Sequence, residues 1–298
     1  MNLLVTGPTG FIGRAVLRRA VARGHAITAL VLPGEALPEE LARREGVRAC
    51  VGTLAEPPWE ELAATPWEAC LHTAWITTPG VYLESPENER LLEWSRHFAR
   101  AFFARGGRHF MGLGSCAEYR PARQPLAEES AALNEATLYA RCKNQLRLAL
   151  EDLAREFGGT ACWGRVFYPF GPGEHPERLC SALIRRLARG EAVTLKTPES
   201  TKDYIYIDDL ALAIVMALEQ RCGGPLNLGT GRGVTVRQMA EMIAGLLGRT
   251  GLVREAAGGV ADPLDYMVAD VTRLRGLGWR EEVGLEEGLR RLCRHLTG

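Results

Sequence analysis

Apolar residues in the first half of the chain gather in short runs separated by stretches of helical spacing. Asn2–Thr6, Ala26–Leu32, Val47–Val51, Trp67–Thr73, Arg108–Leu113 and Thr160–Phe167 read as strands. Between them Arg14–Arg23, Leu37–Arg44, Trp59–Ala64, Glu89–Ala104 and Leu138–Leu153 repeat apolar residues at helical steps. The helix 89–104 carries Leu91, Leu92, Trp94, Phe98, Phe102 and Phe103 on more than one side, which predicts burial between a sheet and another surface. Regular strand–helix alternation predicts an α/β fold, a Rossmann-like doubly wound parallel sheet, as a dinucleotide-binding domain over 1–167.

From Tyr168 the texture changes. Pro169–Pro176 is a turn-rich linker. Glu177–Arg189 reads as an amphipathic helix, Ala192–Leu195 as a short strand, and Lys202–Asp209 as a strand running into the helix Leu210–Glu219. Pro225–Leu228 reads as a strand and Val236–Leu247 as a helix, and Asp270–Leu274 with Leu285–Leu296 closes the chain. These elements predict a smaller C-terminal α/β substrate-binding domain over 168–298, with the strand and helix around 204–219 returning to the first domain.

Composition narrows the classes. The formal net charge is zero, so nothing calls for a nucleic-acid partner. No two of the eight cysteines form a C-x-x-C, and no His pair has a metal-ligand spacing, so no metal is expected. Several cysteines sit in apolar runs, which suits free thiols in a reducing compartment. The chain opens directly on a strand-like run, and no apolar run approaches the roughly 20 residues of a membrane span. A cytoplasmic protein without a membrane partner is the expectation.

Three places carry candidate chemistry. Gly7-Pro-Thr-Gly10-Phe11-Ile12-Gly13 lies between the first strand and the first helix. Glycines there allow a tight turn and let a pyrophosphate rest on the helix N-terminus. The second strand ends without the acid that meets an adenosine ribose: no Asp precedes Asp152, and Glu35 is a late substitute. Arg14 stands where it could reach a 2′-phosphate. NAD and NADP both remain open, with a lean to NADP. At the fourth strand's end, His72-Thr73-Ala74-Trp75 offers small residues beside a cofactor. His72 reads as a packed core histidine and Trp75 as core or pocket wall.

Ser115 follows the fifth strand, where doubly wound sheets bind ligand. Tyr139 and Lys143 sit one turn apart on one helix face. A phenol titrates near 10, and a neighbouring ammonium favours the phenolate; a move of about three units is worth roughly 4 kcal/mol. The pair can then act as a general acid/base. The same spacing is common on surface helices. Lysine, however, occurs only at 143, 196 and 202 in an arginine-rich chain, which argues that Lys143 is placed for its chemistry.

In order and spacing these landmarks resemble the extended short-chain dehydrogenase/reductase family, the NAD-dependent epimerase/dehydratase group acting on nucleotide sugars. The resemblance also covers Asn88, Arg165–Pro172, Lys202–Asp209, Asn227–Gly231 and Leu277–Trp279. It implies that Tyr139 is the acid/base on a sugar hydroxyl or ketone, that Lys143 lowers its pKa and holds the nicotinamide ribose, and that Ser115 bonds the same oxygen. It implies a cofactor site of Gly7, Gly10, Phe11, Ile12, Gly13, Arg14, Leu54, Thr73, Ala74, Tyr139 and Lys143. For the nucleotide-diphosphate sugar it implies Ser115, Cys116, Tyr168, Arg178 and Lys202.

Departures shape the expected reaction. Ser115-Cys116-Ala117 stands where 4,6-dehydratases carry Thr-Asp-Glu, which argues against dehydration. Tyr168 replaces a common Asn, Lys202 a common Arg, and Gly52-Thr53-Leu54 a common Gly-Asp-Leu. The resemblance thus implies reduction of a 4-keto(-6-deoxy) sugar nucleotide at C4, with a C4 epimerase as the alternative and a non-catalytic dinucleotide sensor or scaffold as a further one. It also implies a homodimer through the helices 89–104 and 138–156, with Leu91, Phe98, Phe102, Leu146, Leu150 and Leu153 as apolar surface.

Overall fold

Strand β1 (Asn2–Thr6) is buried over its last four residues, the mark of a strand covered on both faces. It is the centre of the computed structural model, which describes residues 1–64, 66–257 and 260–298. Around it stand β2 (Ala26–Val31), β3 (Val47–Val51), β4 (Ala69–His72), β5 (His109–Ser115) and β6 (Thr160–Val166). In the second half follow β7 (Tyr168–Phe170), β8 (Val193–Leu195), β9 (Thr201–Tyr206) and β10 (Gly224–Leu228). The main sheet has seven strands in the order β10-β6-β5-β4-β1-β2-β3. The pairs of β1 with β2 and β4, of β2 with β3 and of β4 with β5 are parallel. This is the Rossmann order extended by one edge strand.

Helices connect the strands: α1 (Phe11–Ala22), the single turns α2 (Glu39–Ala42) and α3 (Trp59–Leu62), α4 (Glu87–Ala104) and α5 (Leu138–Glu156). The second half adds α6 (Leu179–Ala188), α7 (Ile207–Glu219) and α8 (Val236–Leu246). Among the described residues, no helix is long and apolar enough to cross a membrane.

Two units divide the chain. The first holds Met1–Glu118, Asn134–Arg165 and Ala211–Leu226, and the second Tyr119–Leu133, Val166–Leu210 and Asn227–Gly298. The core of the first unit gathers Phe98, Phe102 and Phe103 of α4 with Leu146 and Leu150 of α5, Phe110 of β5 and Trp163 of β6. Five residues expected as apolar dimer surface, Phe98, Phe102, Leu146, Leu150 and Leu153, are therefore core residues, and Leu91 packs partly buried against them. Their helix faces turn toward the unit's own sheet. In the second unit β9 pairs with β7 in parallel, Tyr168 opposite Tyr204.

Two boundaries differ from the sequence reading in ways that matter. Strand β5 runs through Ser115 instead of ending at Leu113. Gly112 and Gly114 serve the strand interior: a Cβ at Gly112 would lie 2.6 Å from the Trp163 ring. Arg178 is the N-cap of α6, ahead of the helix it was expected to belong to.

Candidate active site

The carboxyl ends of β1, β4 and β5 meet in register, Thr6 opposite His72 and His72 opposite Gly112. Gly7, Thr73 and Ser115 thereby share one edge of the sheet, the edge at which such sheets bind ligands. The glycine turn is closed by contacts only glycine permits. Gly7 has φ +66°, and a Cβ on it would lie 2.6 Å from Thr73 Oγ1 and 2.8 Å from Ala74 N. A Cβ on Gly13 would collide with the Gly7 carbonyl oxygen. Thr73 latches the turn to β4, its hydroxyl donating to the carbonyls of Thr6 (2.8 Å) and Gly7 (3.0 Å).

This turn fits a dinucleotide phosphate. Helix α1 starts at Phe11 with Gly10 as N-cap, no side chain caps it, and its first turn has no acidic residue. Gly10 is exposed, so the N-terminal N–H groups of Phe11, Ile12 and Gly13 face an open rim suited to an anion. Arg14 is half-buried beside them, and Leu54 is buried after β3. Glu35, just past β2 and 26 residues from Thr9, reaches the turn: Thr9 Oγ1 donates to its carboxylate at 2.5 Å.

Tyr139 and Lys143 lie in the first two turns of α5, which Thr137 caps by accepting the Ala140 N–H at 3.2 Å. Both are buried, at 5% and 4% exposure. Tyr139 is fixed from the loop before α4: its N–H donates to Leu83 O at 2.9 Å, and Tyr82 packs edge-on at 4.9 Å. Ser115 acts on its hydroxyl, favouring the phenolate. Burial first, then the Glu118 carboxylate, pushes the phenol well above its ordinary value, while Ser115 opposes them. The phenol is thus a proton donor at neutral pH.

Lys143 Nζ donates to Leu113 O at 2.8 Å and stands 3.9 Å from the Trp75 ring centroid. Trp75 is held by its own indole N–H, which donates to Asn88 Oδ1 at 2.8 Å. Asn88 is fully buried and also donates to the carbonyls of Tyr82 (2.7 Å) and Ser85 (2.9 Å). Burial draws the Lys143 pKa down to about 7, against the Glu118 carboxylate, which pulls it up. His72 lies between Thr6 Oγ1 (2.8 Å) and Ser95 Oγ (2.9 Å), the packed histidine expected. Sequence reasoning passed over Glu118, Tyr82 and the tie from Trp75 to Asn88. A lone carboxylate in the small-residue run after Ser115 was the available signal for Glu118.

The remaining expected residues are dispersed. Cys116 is buried in the 3₁₀ turn Cys116–Glu118 that follows β5. Tyr168, Arg178 and Lys202 belong to the second unit. Lys202 Nζ is 5.4 Å from the Tyr168 ring centroid. That ammonium is paired with Asp262 at 2.8 Å and also donates to the Leu264 carbonyl. Its charge is therefore already matched inside the chain.

Comparison with known proteins agrees with this geometry. Residues 3–229 match the NAD dependent epimerase/dehydratase family. GDP-L-fucose synthase 1 of Arabidopsis thaliana is 28% identical over 307 residues, covering 97% of this chain and 90% of that protein. The dTDP-4-dehydro-6-deoxyglucose reductase of Escherichia coli is 26% identical over 188 residues, covering 60% of this chain but only 58% of the relative. The crystal structure of the Thermus thermophilus UDP-glucose 4-epimerase in complex with NAD superposes with a TM-score of 0.85 at 25% identity, over 100% of this chain and 99% of that one. With its Rossmann sheet, glycine turn and Ser115, Tyr139 and Lys143, this chain belongs to the NAD dependent epimerase/dehydratase family.

Proposed function

We propose that the chain is an NAD(P)-dependent nucleotide-sugar oxidoreductase that reduces a 4-keto(-6-deoxy) sugar nucleotide at C4. The observation that carries this reading is the buried, protonated Tyr139 hydroxyl, on which Ser115 acts, one helical turn from the buried Lys143. A dinucleotide held by its pyrophosphate at the glycine turn would supply the hydride from its nicotinamide. Ser115 and Tyr139 bond the ketone oxygen, and Tyr139 gives it the proton as the alkoxide forms. The Lys143 ammonium then stabilises the phenolate left behind. Gly7, Gly10, Phe11, Ile12, Gly13, Arg14, Leu54, Thr73 and Ala74 line the dinucleotide. Cys116, Tyr168, Arg178 and Lys202 are the proposed substrate contacts; Lys202 acts on a phosphate only by exchanging Asp262 for it. The name of the E. coli relative, a 4-dehydro-6-deoxyglucose reductase, supports reduction. Buried free thiols at Cys50 and Cys70 support a reducing, cytoplasmic location.

The second reading is a C4 epimerase with retained NAD. It is favoured by Glu35, whose carboxylate at the turn suits an unphosphorylated ribose and repels a 2′-phosphate, and by the Thermus relative. The deciding assay offers purified protein a 4-keto-6-deoxy nucleotide sugar with NADPH or NADH. Stoichiometric cofactor oxidation is expected. Interconversion of UDP-hexoses at catalytic NAD, with no oxidation in the first assay, would sink the reductase reading. Tyr139→Phe is expected to lower turnover by about 10²- to 10⁴-fold. Unchanged turnover in that variant would favour the non-catalytic sensor or scaffold.

A further inference from the structure

Glu118 is a carboxylate shut off from water, 0% exposed, in the turn that follows β5. Its Oε1 accepts the main-chain N–H of Ser115 at 2.8 Å. Its Oε2 accepts Trp163 Nε1 at 2.8 Å and Arg165 Nε at 2.9 Å. Arg165 is itself 1% exposed. Gly114 makes the room, since a Cβ there would collide with Glu118 Oε1 and Trp163 Nε1. A buried ion pair adds little net stability, because desolvation offsets its attraction. Its position is therefore the informative feature: one oxygen holds the backbone of Ser115, and the carboxylate acts on both Tyr139 and Lys143.

We propose that Glu118, backed by Arg165, is a positioning residue that fixes the Ser115 main chain and sets a buried negative charge on the strand end to which Lys143 is hydrogen-bonded. The inference rests on the roles given above to Ser115, Tyr139 and Lys143. The groups facing Lys143 are few. Glu118 faces it from the turn and His72 from β4, Tyr139 and Cys142 lie on its own helix, and the Trp75 and Trp163 rings and the Leu113 carbonyl complete the shell. His72 is neutral, its pKa held at about 3 by burial and by Lys143. The charge that raises Lys143 is Glu118; the Cys142 thiol, itself pushed up by burial, is neutral where Lys143 titrates. Without Glu118, burial acts on the ammonium almost unopposed.

The three lysines of this chain make the test direct. Carbon-13 labelling at lysine Cε gives three signals in the full chain, and K143R identifies that of Lys143. Its titration midpoint is expected near 7 in the wild type and lower by about one pH unit in E118Q. E118Q leaves Arg165 buried without its anion, so E118Q/R165Q is measured beside it. That variant removes both charges, keeps an acceptor for the Ser115 N–H, and should also titrate below the wild type. The Ser115 amide should exchange with solvent faster in E118A than in E118Q. A wild-type Lys143 curve in the folded variants, or equal Ser115 exchange rates, would overturn the proposal. Failure of both glutamine variants to fold would make the pair purely structural and overturn it as well. The measurement uses neither substrate nor cofactor, so a failed reductase assay leaves its outcome intact.

Discussion

Burial alone disables a tyrosine as a base and a lysine as a cation, yet here both lie under 6% exposure. Their neighbours oppose burial only in part: Ser115 on the phenol, which stays protonated, and Glu118 with the Trp75 face on the ammonium. His72, on the next strand, shows the uncompensated case. Its folded pKa of about 3 lies below the ordinary 6.5 of an unfolded histidine. Below pH 6.5 the unfolded chain takes up a proton that the folded chain refuses, so stability falls as pH drops from 6.5 toward 3. Between pH 6.5 and 5 the wild type should lose up to about 2 kcal/mol that His72→Asn does not lose, read from urea midpoints. Lys143 titrates in a separate window. From about pH 7 to 10.5 the unfolded chain holds a proton that the folded chain has released, so its contribution rises with pH.

The glycine turn is the element on which cofactor binding depends, and its three glycines are not equivalent. Gly13 packs against the Gly7 carbonyl with no room for a methyl group, whereas the nearest atom to a Cβ on Gly10 is 3.5 Å away. Gly13→Ala should therefore destabilise the protein by roughly 1–3 kcal/mol and abolish NADH binding. Gly10→Ala should melt close to the wild type but bind NADH more weakly, because its methyl group stands on the exposed helix N-cap. Thermal melting and NADH fluorescence titration separate the two. Equal melting temperatures would contradict this packing. The glycine pattern was legible in sequence because turn, strand and helix are contiguous. Glu35 was not, since the chain between β2 and the turn contact folds back through a loop whose path no periodicity encodes.

For the whole molecule, the proposed homodimer through α4 and α5 would rest on a surface unlike the apolar one expected. The groove between these helices, about 690 Å³, has a floor of Leu92, Ala149 and Leu153 under a charged rim of Glu89, Glu93, Arg96, Arg100, Asp152 and Glu156. Leu148 on α5 is 51% exposed. A dimer formed there should weaken with salt, because its rim contacts are exposed charges. Light scattering at about 10 μM is expected to give twice the chain mass, and Leu148→Glu a monomer. A monomeric wild type would contradict the dimer.

The sequence determined what local periodicity and chain order control. Apolar runs and helical spacings placed the strands and helices of the sheet, the contiguous glycine turn announced the phosphate site, and the four-residue step put Tyr139 and Lys143 on one face. Tertiary structure decided what depends on residues distant in the chain. Only folding brings Glu118 to Arg165, 47 positions later, Trp75 over Lys143, Glu35 to Thr9, and Lys202 to Asp262 instead of to solvent. Those contacts set the charge state of the site, because a buried ionisable group takes its pKa from its neighbours and its burial, which spacing along a chain does not specify.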